Sequence, residues 1–246
     1  MSAYVHPSAK VGENFTPAPF CVIDEDVVIG NDVTVGSFVR ICAGSVLGDG
    51  VYVADGAIVG KRPKLAKGST AKAGVLPGVV LGAGCAVGSN AVVMAGSTFG
   101  RDCVIADGAG VRERCTIGDN VVVGRNVTVE NDTTIGSRTR IQSGAYVTAY
   151  VTIEEDVFIA PMVVTTNDNY MGRTEKRLTE MRGCTIRRGA RVGGGAHILP
   201  GIEIGEDAFV ATGSIVTRDV PAHTLVMGTP ARAVKSVPEE ELLENQ

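Results

Sequence analysis

The stretch TTNDNYMGRT is dense in side chains that could bind a polar or anionic ligand. Asn167 and Asp168 supply an amide and a carboxylate, and Asn169 adds a second amide. Tyr170 could cover an apolar part of a ligand, and Arg173 could bind an anionic group. The short polar groups at the start of this stretch favour a functional role for Asn167 and Asp168 over a purely hydrated corner.

A second stretch, residues 61–74, contains only basic residues among its charged side chains. Its cations are Lys61, Arg62, Lys64, Lys67 and Lys72. Lys and Arg are good donors to phosphate, so the stretch could be a phosphate clamp. A solvated loop with no ligand is the alternative interpretation.

A six-residue repeat determines how these stretches are held. The first position of each hexad is almost always Val, Ile or Leu, and the fifth is usually small. First positions recur every six residues over three ranges, which start at Val5, Val75 and Ile186. The periodicity is interrupted twice, at residues 61–74 and 165–185. A long loop inside a repeat array is usually functional or disordered, so both interruptions are candidate functional loops.

The hexad predicts short strands joined by tight corners, with its first and fifth side chains pointing inward. Three hexads would close one triangular turn, and successive turns would pair at the strand spacing of about 4.8 Å. About ten turns are expected, giving a prism on the order of 48 Å long. Four cysteines fall at fifth positions and are expected to pack in the core, whereas Cys42 and Cys184 lie off that position. The four are Cys21, Cys85, Cys103 and Cys115.

Residues 18 apart should stack along the edges of such a prism. Two polar columns then lead to the second interruption. One column is Glu113, Asn131, Ala149 and Asn167, and its neighbour is Arg114, Asp132, Tyr150 and Asp168. The stacking adds Asn131 to the candidate acceptor site.

The repeat resembles the left-handed parallel β-helix of the hexapeptide-repeat acyltransferases, and the resemblance covers nearly the whole chain. It implies an all-β fold with a left-handed coil, two extruded loops, and a homotrimer with sites between subunits. We expect one β-helical domain over residues 1–235 and a short C-terminal helix within a tail, residues 236–246. Pro238 suits the first turn of that helix.

The motifs GGGA, ATGSIVTRDVP and GTPAR resemble the terminal coils of acetyltransferases that use acetyl-CoA. The resemblance implies a slot for the pantetheine arm lined by small residues, and phosphate contacts near the GTPAR turn. A backbone N–H near Gly193 or Gly194 is expected to stabilise the oxyanion. The implied slot residues are Gly193, Gly194, Ala211, Gly213 and Ser214, and the implied phosphate contacts are Arg218, Arg232 and Lys235.

The loop TTNDNYMGRT resembles that of nucleotide-sugar N-acetyltransferases, which acylate an amine on an amino sugar joined to UDP or dTDP. In these relatives the loop Asn lies near the acceptor amine, so the resemblance implies that Asn167 positions the amine. Asp168 is then expected to fix the loop or a hydroxyl of the sugar. Acetyl transfer to a hydroxyl is the alternative. It would need a general base, for which His197 is the best placed candidate; His6 is expected to be structural and His223 lies beyond the last hexad.

Other functional classes fit less well. The net charge of −4 argues against a general nucleic-acid binder. No apolar run is long enough to span a membrane, and the N-terminus does not resemble a signal segment, so a cytoplasmic protein with reduced cysteines is expected. The three His are too scattered for the zinc site of a γ-type carbonic anhydrase, so no metal is expected. A non-catalytic prism and the tail of a sugar-nucleotidyltransferase are the remaining alternatives.

Overall fold

The computed structural model describes residues 2–67, 69, 71 and 74–246. Lys72 of the basic stretch lies outside the described residues. The described chain forms short strands of mostly two residues, separated by tight turns. In chain order the strands are β1 (Tyr4–Val5), β2 (Lys10–Val11), β3 (Thr16–Pro17), β4 (Val22–Ile23), β5 (Val28–Ile29), β6 (Thr34–Val35), β7 (Arg40–Ile41), β8 (Val46–Leu47), β9 (Tyr52–Val53), β10 (Ile58–Lys61), β11 (Val80–Leu81), β12 (Ala86–Val87), β13 (Val92–Met94), β14 (Thr98–Phe99), β15 (Val104–Ile105), β16 (Gly110–Val111), β17 (Thr116–Ile117), β18 (Val122–Val123), β19 (Thr128–Val129), β20 (Thr134–Ile135), β21 (Arg140–Ile141), β22 (Tyr146–Val147), β23 (Thr152–Ile153), β24 (Phe158–Ile159), β25 (Val164–Thr165), β26 (Thr185–Ile186), β27 (Arg191–Val192), β28 (His197–Ile198), β29 (Glu203–Ile204), β30 (Phe209–Val210), β31 (Ile215–Val216), β32 (Thr224–Gly228) and β33 (Ala231–Ser236).

The strands build three parallel sheets, which are the three faces of a left-handed β-helix. Every third strand joins the same face, so β1, β4 and β7 begin the first face, β2, β5 and β8 the second, and β3, β6 and β9 the third. The faces contain 11, 10 and 12 strands, slightly more than the ten turns expected from the repeat. The predicted fold class is confirmed.

The hexad pattern explains the core. First-position side chains such as Ile41, Val93 and Ile141 are fully buried inside the prism. The four fifth-position cysteines are buried as predicted. Cys184 is buried as well, contrary to the expectation, because it stands two residues before the inward Ile186 and therefore occupies a fifth position once the loop has returned. Burial raises the pKa of the Cys184 thiol to about 12.

The corners favour residues that tolerate a left-handed backbone. The fourth residue of most hexads has a positive φ and is usually Gly, Asn or Asp, which adopt that region at low cost. Phe20 and Phe38 are exceptions, and their rings stack with centroids 5.1 Å apart on neighbouring coils. Tyr150 and Met162 are also bulky residues at such corners, with φ of 68° and 61°. These positions present large side chains outward from a rigid frame.

Both interruptions are insertions at the same corner, between the first and the second face, which we call the loop corner. Loop 1 leaves after β10 on the first face and returns before β11 on the second. Loop 2 leaves after β25 and returns before β26 across the same corner. The return points are tight, because a side chain at Gly78 would collide with the carbonyl of Gly44, and one at Gly183 with the carbonyl of Tyr150.

Loop 1 is longer than the sequence pattern predicts. Val75 was expected to be an inward first position, but it is 95% exposed. The reason is that β10 already fills the first face at this level and pairs directly with β13, which leaves no place for a strand at Val75. The chain rejoins the prism only at Gly78 and Val79, and the guanidinium of Arg62 closes the loop by donating to the carbonyl of Leu76 (2.8 Å).

The C-terminal region extends the third face and then packs on it. Strand β32 pairs with β30, and β33 turns back antiparallel to β32, a hairpin that the repeat pattern does not predict. The tail then forms two short 3-10 helices, Glu239–Glu241 and Leu243–Asn245, rather than the single helix expected. Glu241 anchors the tail by accepting from Arg191 (2.7 Å), while the Leu243 N–H donates to Asp207 (3.2 Å). The domain boundary at residue 235 stays a prediction.

Helical structure is scarce in the described residues. The one α-helix there is α1 (Arg177–Glu180), a single turn within loop 2. No helix in the described ranges is both long and apolar enough to cross a membrane.

Candidate functional site

A polar pocket lies at the loop corner, where the two loops approach each other. Its volume is about 230 Å³. The prism supplies its floor, loop 1 contributes two residues, and the beginning and end of loop 2 close one side. The lining residues are Ser69, Ala71, Arg112, Glu130, Asn131, Tyr146, Thr148, Ala149, Tyr150, Asn167, Asp168, Arg177 and Met181. The structure thus brings together the predicted residues Asn131, Asn167 and Asp168.

Asp168 organises the start of loop 2. Its carboxylate accepts the N–H groups of Tyr170 (2.8 Å) and Gly172 (2.9 Å) and the guanidinium of Arg177 (2.9 Å). These donors, with the Gly172 N–H first among them, lower the pKa of the Asp168 carboxyl. All of these bonds lie within the loop. Of the two roles expected for Asp168, the geometry favours fixing the loop.

Asn167 is the last residue of the corner before loop 2 departs. Its carbonyl accepts the Arg182 N–H (3.0 Å), which closes the base of the loop. Among the described residues, its side-chain amide makes one long hydrogen bond, from Nδ2 to the carbonyl of Ala149 (3.4 Å). The amide is therefore held against the pocket by the backbone and keeps most of its hydrogen-bonding capacity for a ligand.

A network of charges underlies the pocket floor. The carboxylate of Glu113 is completely buried and accepts from Arg112 (2.8 Å), while Arg114 lies 3.7 Å away. Arg112 also pairs with Glu130 (2.8 Å) on the next coil. Asn131 is buried beside this network and donates to Asp132 (2.6 Å). Because a buried charge needs partners, Glu113 fixes where Arg112 presents its remaining donors to the pocket.

Two tyrosines complete the wall. Tyr146 stands on β22 of the first face, and partial burial together with the neighbouring Glu130 raises the pKa of its phenol. Tyr150 stands at the corner with a left-handed backbone. The two rings give the pocket apolar surface between its amides and ion pairs.

The other predicted acceptor residues lie away from this pocket. Asn169 lines a separate cavity of about 330 Å³ on loop 2, together with Glu180 and Arg182. Tyr170 donates its hydroxyl to Glu180, which ties the loop to α1. Arg173 is exposed and lines neither cavity.

The predicted pantetheine residues line a different corner, between the third and the first face, which we call the glycine corner. The N–H of Gly193 already donates to the carbonyl of Val210 (2.8 Å) in the coil-to-coil ladder. The carbonyl of Gly194 accepts from Gly213 (2.9 Å), but its own N–H has no partner among the described residues. Ser214 is buried and receives the Gly228 N–H at its hydroxyl (3.2 Å).

The N–H of Gly194 is unbonded among the described residues, whereas the N–H at the same hexad position is capped by a side chain at several other corners. At several corners the third-position N–H is capped by the side chain 18 residues later, as Asn31 is by Asp49 (2.7 Å) and Arg101 by Asp119 (2.7 Å). The residue 18 after Gly194 is Thr212, and no such bond forms in the described chain. Of the two amides expected to stabilise an oxyanion, that of Gly194 is therefore the one with a donor to spare.

The predicted phosphate contacts lie at the C-terminal end. Arg218 and Arg232 line one small cavity of about 150 Å³, beside Ala231 and Pro221. Ala211 is buried beneath the hairpin and donates its N–H to the carbonyl of Val226 (2.9 Å). Lys235 is exposed on β33.

His197 lies on the first face between the two corners. Its side chain is exposed on β28, with Val164 and Ile215 as its neighbours on adjacent coils. The loop corner and the glycine corner are opposite edges of this face, separated by about five residues or on the order of 15 Å. Within one chain, Asn167 and Gly194 therefore do not meet.

The pocket also contains functional candidates that the sequence reasoning missed. Arg112, Glu130 and Thr148 each precede by one residue a member of the predicted stacking column, so the 18-residue spacing could have identified them. Arg177 and Ser69 are brought in by the loops, whose paths no periodicity describes. The described residues contain no group of three or more His, Cys, Asp or Glu that could hold a metal ion.

Comparison with protein families identifies the repeat. A model described as bacterial transferase hexapeptide (six repeats) matches residues 26–61, 96–131 and 183–218. A model of the hexapeptide repeat of succinyl-transferase matches residues 71–95, 78–113 and 114–149. Together the two models span more than half of the chain.

Curated relatives match over short segments. Serine acetyltransferase of Buchnera aphidicola subsp. Acyrthosiphon pisum is 43% identical over 67 residues, which are 27% of this chain and 24% of that protein. The 2,3,4,5-tetrahydropyridine-2,6-dicarboxylate N-acetyltransferase of Clostridium perfringens is 47% identical over 57 residues, 23% of this chain and 24% of the relative. The matches thus span about a quarter of the length of these relatives.

Solved structures share the fold over nearly the whole chain. UDP-N-acetylglucosamine acyltransferase from Campylobacter jejuni has a TM-score of 0.53 at 19% identity and covers 96% of this chain and 73% of its own. The Arabidopsis UDP-N-acetylglucosamine acyltransferase has a TM-score of 0.56 at 18% identity, covering 99% and 75%. At these identities the similarity establishes the fold. With both repeat models matched along a left-handed prism, the chain belongs to the hexapeptide-repeat family of bacterial transferases.

Proposed function

We propose that this protein transfers an acetyl group from acetyl-CoA to the amine of a nucleotide-linked amino sugar. The observation that carries the proposal is the loop-corner pocket, in which both loops converge on the lightly bonded amide of Asn167. Such a pocket suits a small polar acceptor, because its amides, hydroxyls and paired ions can bind a hydroxylated ring. Similar proteins named N-acetyltransferases and UDP-N-acetylglucosamine acyltransferases support the class of reaction.

The chemistry needs few groups. The neutral amine nitrogen attacks the thioester carbonyl carbon, a C–N bond forms, and the carbonyl oxygen becomes an oxyanion. When the tetrahedral intermediate collapses, the C–S bond breaks and the departing CoA thiolate takes the proton that the amine loses. Asn167 orients the amine, and the free N–H of Gly194 faces the oxyanion. Gly193, whose N–H is already bonded, shapes the slot instead.

The two halves of this site would meet between subunits. Because Asn167 and Gly194 lie at opposite edges of the first face, we propose that loop 2 of one copy reaches the glycine corner of a neighbouring copy in a homotrimer. Acetyl-CoA would lie along Ala211, Gly213 and Ser214 and extend its phosphates toward Arg218, Arg232 and Lys235. No metal is needed in this mechanism.

A substrate screen tests the proposed function. UDP- and dTDP-linked amino sugars would be incubated with the protein and acetyl-CoA, and thiol release would be followed continuously. We expect release with at least one nucleotide-linked amine, and mass spectrometry should show the acetyl group on nitrogen. Absence of transfer to every nucleotide-linked amine, with transfer to free hydroxylated acceptors, would contradict the proposal.

The exposed imidazole of His197 favours a second candidate, acetyl transfer to a hydroxyl. A hydroxyl needs a general base, which typically contributes 10²–10⁴-fold to the rate, whereas a neutral amine does not. For an amine acceptor we therefore expect His197→Ala to lower kcat by less than about tenfold. Steady-state kinetics with the best acceptor measures this, with His223→Ala as the matched control. A larger loss of kcat in His197→Ala, which His223→Ala does not share, would favour the hydroxyl acceptor.

A further inference from the structure

We infer that loop 1 binds the diphosphate of the acceptor, while the loop-corner pocket takes only its uncharged sugar ring. The inference rests on the proposed function and divides the acceptor between two subsites. It assigns a specific role to the basic stretch.

The pocket itself is poorly suited to a diphosphate. Its two guanidinium groups are already neutralised, Arg112 by Glu113 and Glu130 and Arg177 by Asp168. Among its lining residues the charges balance, so the pocket offers directed hydrogen bonds without a net positive field. A ring with hydroxyl and amino groups matches such a surface, whereas a dianion would compete with carboxylates already in place.

The size of the pocket also indicates that it binds the sugar ring without the diphosphate. Its volume of about 230 Å³ lies below the roughly 300–1,000 Å³ that is typical of sites for whole ligands of drug size or larger. A single pyranose ring fits, but a nucleotide with its diphosphate does not. The remainder of the acceptor must therefore extend out of the pocket mouth.

Loop 1 lines the pocket with two residues, and exposed lysines stand in the same segment of the chain and at its start. Ser69 and Ala71 line the pocket, and Leu76 lies over the corner above Gly96. Lys67 precedes Ser69 by two residues, so its Cα lies within about 7 Å of that of Ser69. Lys61, Lys64 and Lys67 are exposed, and no described residue forms an ion pair with them.

The geometry of the ligand fits this arrangement. In a nucleotide-linked sugar the diphosphate is attached directly to the ring, so its charges begin within a few bonds of the pocket. A lysine ammonium on the loop can reach such a group without entering the pocket, and binds it as a flexible point charge. The clamp therefore distinguishes a nucleotide-linked amino sugar from the free amino sugar.

Direct binding tests the clamp without requiring catalysis. UDP, dTDP and inorganic diphosphate would be titrated into the purified protein by calorimetry, with uridine and thymidine as phosphate-free probes. We expect Lys64→Ala/Lys67→Ala to weaken the Kd of the three diphosphates by about tenfold at low salt, and to leave the nucleosides unaffected. The control is Lys10→Ala/Arg101→Ala, which removes the same charge from exposed positions outside loop 1 and outside the pocket lining.

The outcomes separate the clamp from the proposed function. Equal diphosphate binding by the loop variant and the control, or no binding to the wild type at millimolar concentration, would overturn the clamp. Transfer to a nucleotide-linked amine with unchanged KM in the loop variant would also overturn it while leaving the reaction intact. Conversely, the expected loss of binding without transfer to any nucleotide-linked amine would sustain the clamp and remove the proposed function. Weakening of the wild-type Kd with added salt is also expected, since exposed charges are screened beyond about 10 Å at 0.1 M.

Discussion

Replacing Asn167 with Ala is expected to lower kcat/KM for the acceptor by about 100-fold, because misplacing a reacting group by about 1 Å can cost this much. The expectation follows from the position of the side chain. Its amide lines the pocket, and within the described part of the chain it makes a single long bond of 3.4 Å, so its removal takes away a ligand contact and little else there. Steady-state kinetics with varied acceptor measures the loss, and the KM for acetyl-CoA should stay within about twofold.

The control for this variant is Asn31→Ala. Asn31 occupies the same third position of a hexad at a different corner, where its side chain caps the Glu13 N–H (2.8 Å). It is distant from both loops in the stacking order, so its loss should not change turnover. The role assigned to Asn167 is wrong if Asn167→Ala retains kcat/KM within threefold of the wild type. This comparison requires that Asn167→Ala and Asn31→Ala have the same free energy of unfolding as the wild type.

A large effect on stability is expected at Glu113. This carboxylate is completely buried and forms an ion pair with Arg112, whose side chain is about one-quarter exposed. Removing one partner of a buried pair typically costs about 3–5 kcal/mol, and the partial exposure of the arginines reduces that figure. We therefore expect Glu113→Ala to lower the free energy of unfolding by about 2–3 kcal/mol. Glu113→Gln should cost less, since it keeps the shape and part of the hydrogen bonding.

Urea unfolding measures this loss, with hydrogen exchange to show which coils open first. Stability in stacked repeats is a sum over neighbouring units, so exchange should rise in the coil that contains Glu113 and in its two neighbours before it rises at the ends. Asp156→Ala is the matched control, because Asp156 pairs with an exposed Arg138 at another corner and should contribute about 0–1 kcal/mol. A cost at Glu113 no larger than that at Asp156 would show that the buried network adds no stability.

The prism was predictable because a short period repeated along a chain constrains every residue in the same way. An inward Ile41 or Val93 must pack against the coils on either side of it. An aliphatic residue that recurs at the first hexad position therefore indicates the buried core along the whole prism. The stacking distance of 18 residues likewise places Asn131 on the same edge as Asn167, two coils away. Local rules that recur many times leave little freedom for the fold.

What escaped prediction depends on contacts made once. Val75 continues the period by coincidence, but the face it would need is occupied by β10. The paths of the loops, which carry Ser69 and Arg177 to the pocket, follow from single hydrogen bonds such as those around Asp168. The free N–H of Gly194 also depends on a single contact, because Thr212 does not cap it as the side chain 18 residues later does at other corners. The separation of Asn167 from Gly194 also requires knowing on which corner each one stands.

Because both loops leave the prism at the same corner, the distance between their departure points is a whole number of coils. Five coils separate the departure of loop 1 from that of loop 2, which corresponds to about 24 Å at about 4.8 Å per coil. Deleting or duplicating one complete coil between β11 and β16, a region with no residue in the pocket lining, would change this distance in a single fixed step and preserve the orientation of both loops. Ligand length in such an architecture can therefore be adjusted by counting coils, with no change to any side chain that touches the ligand.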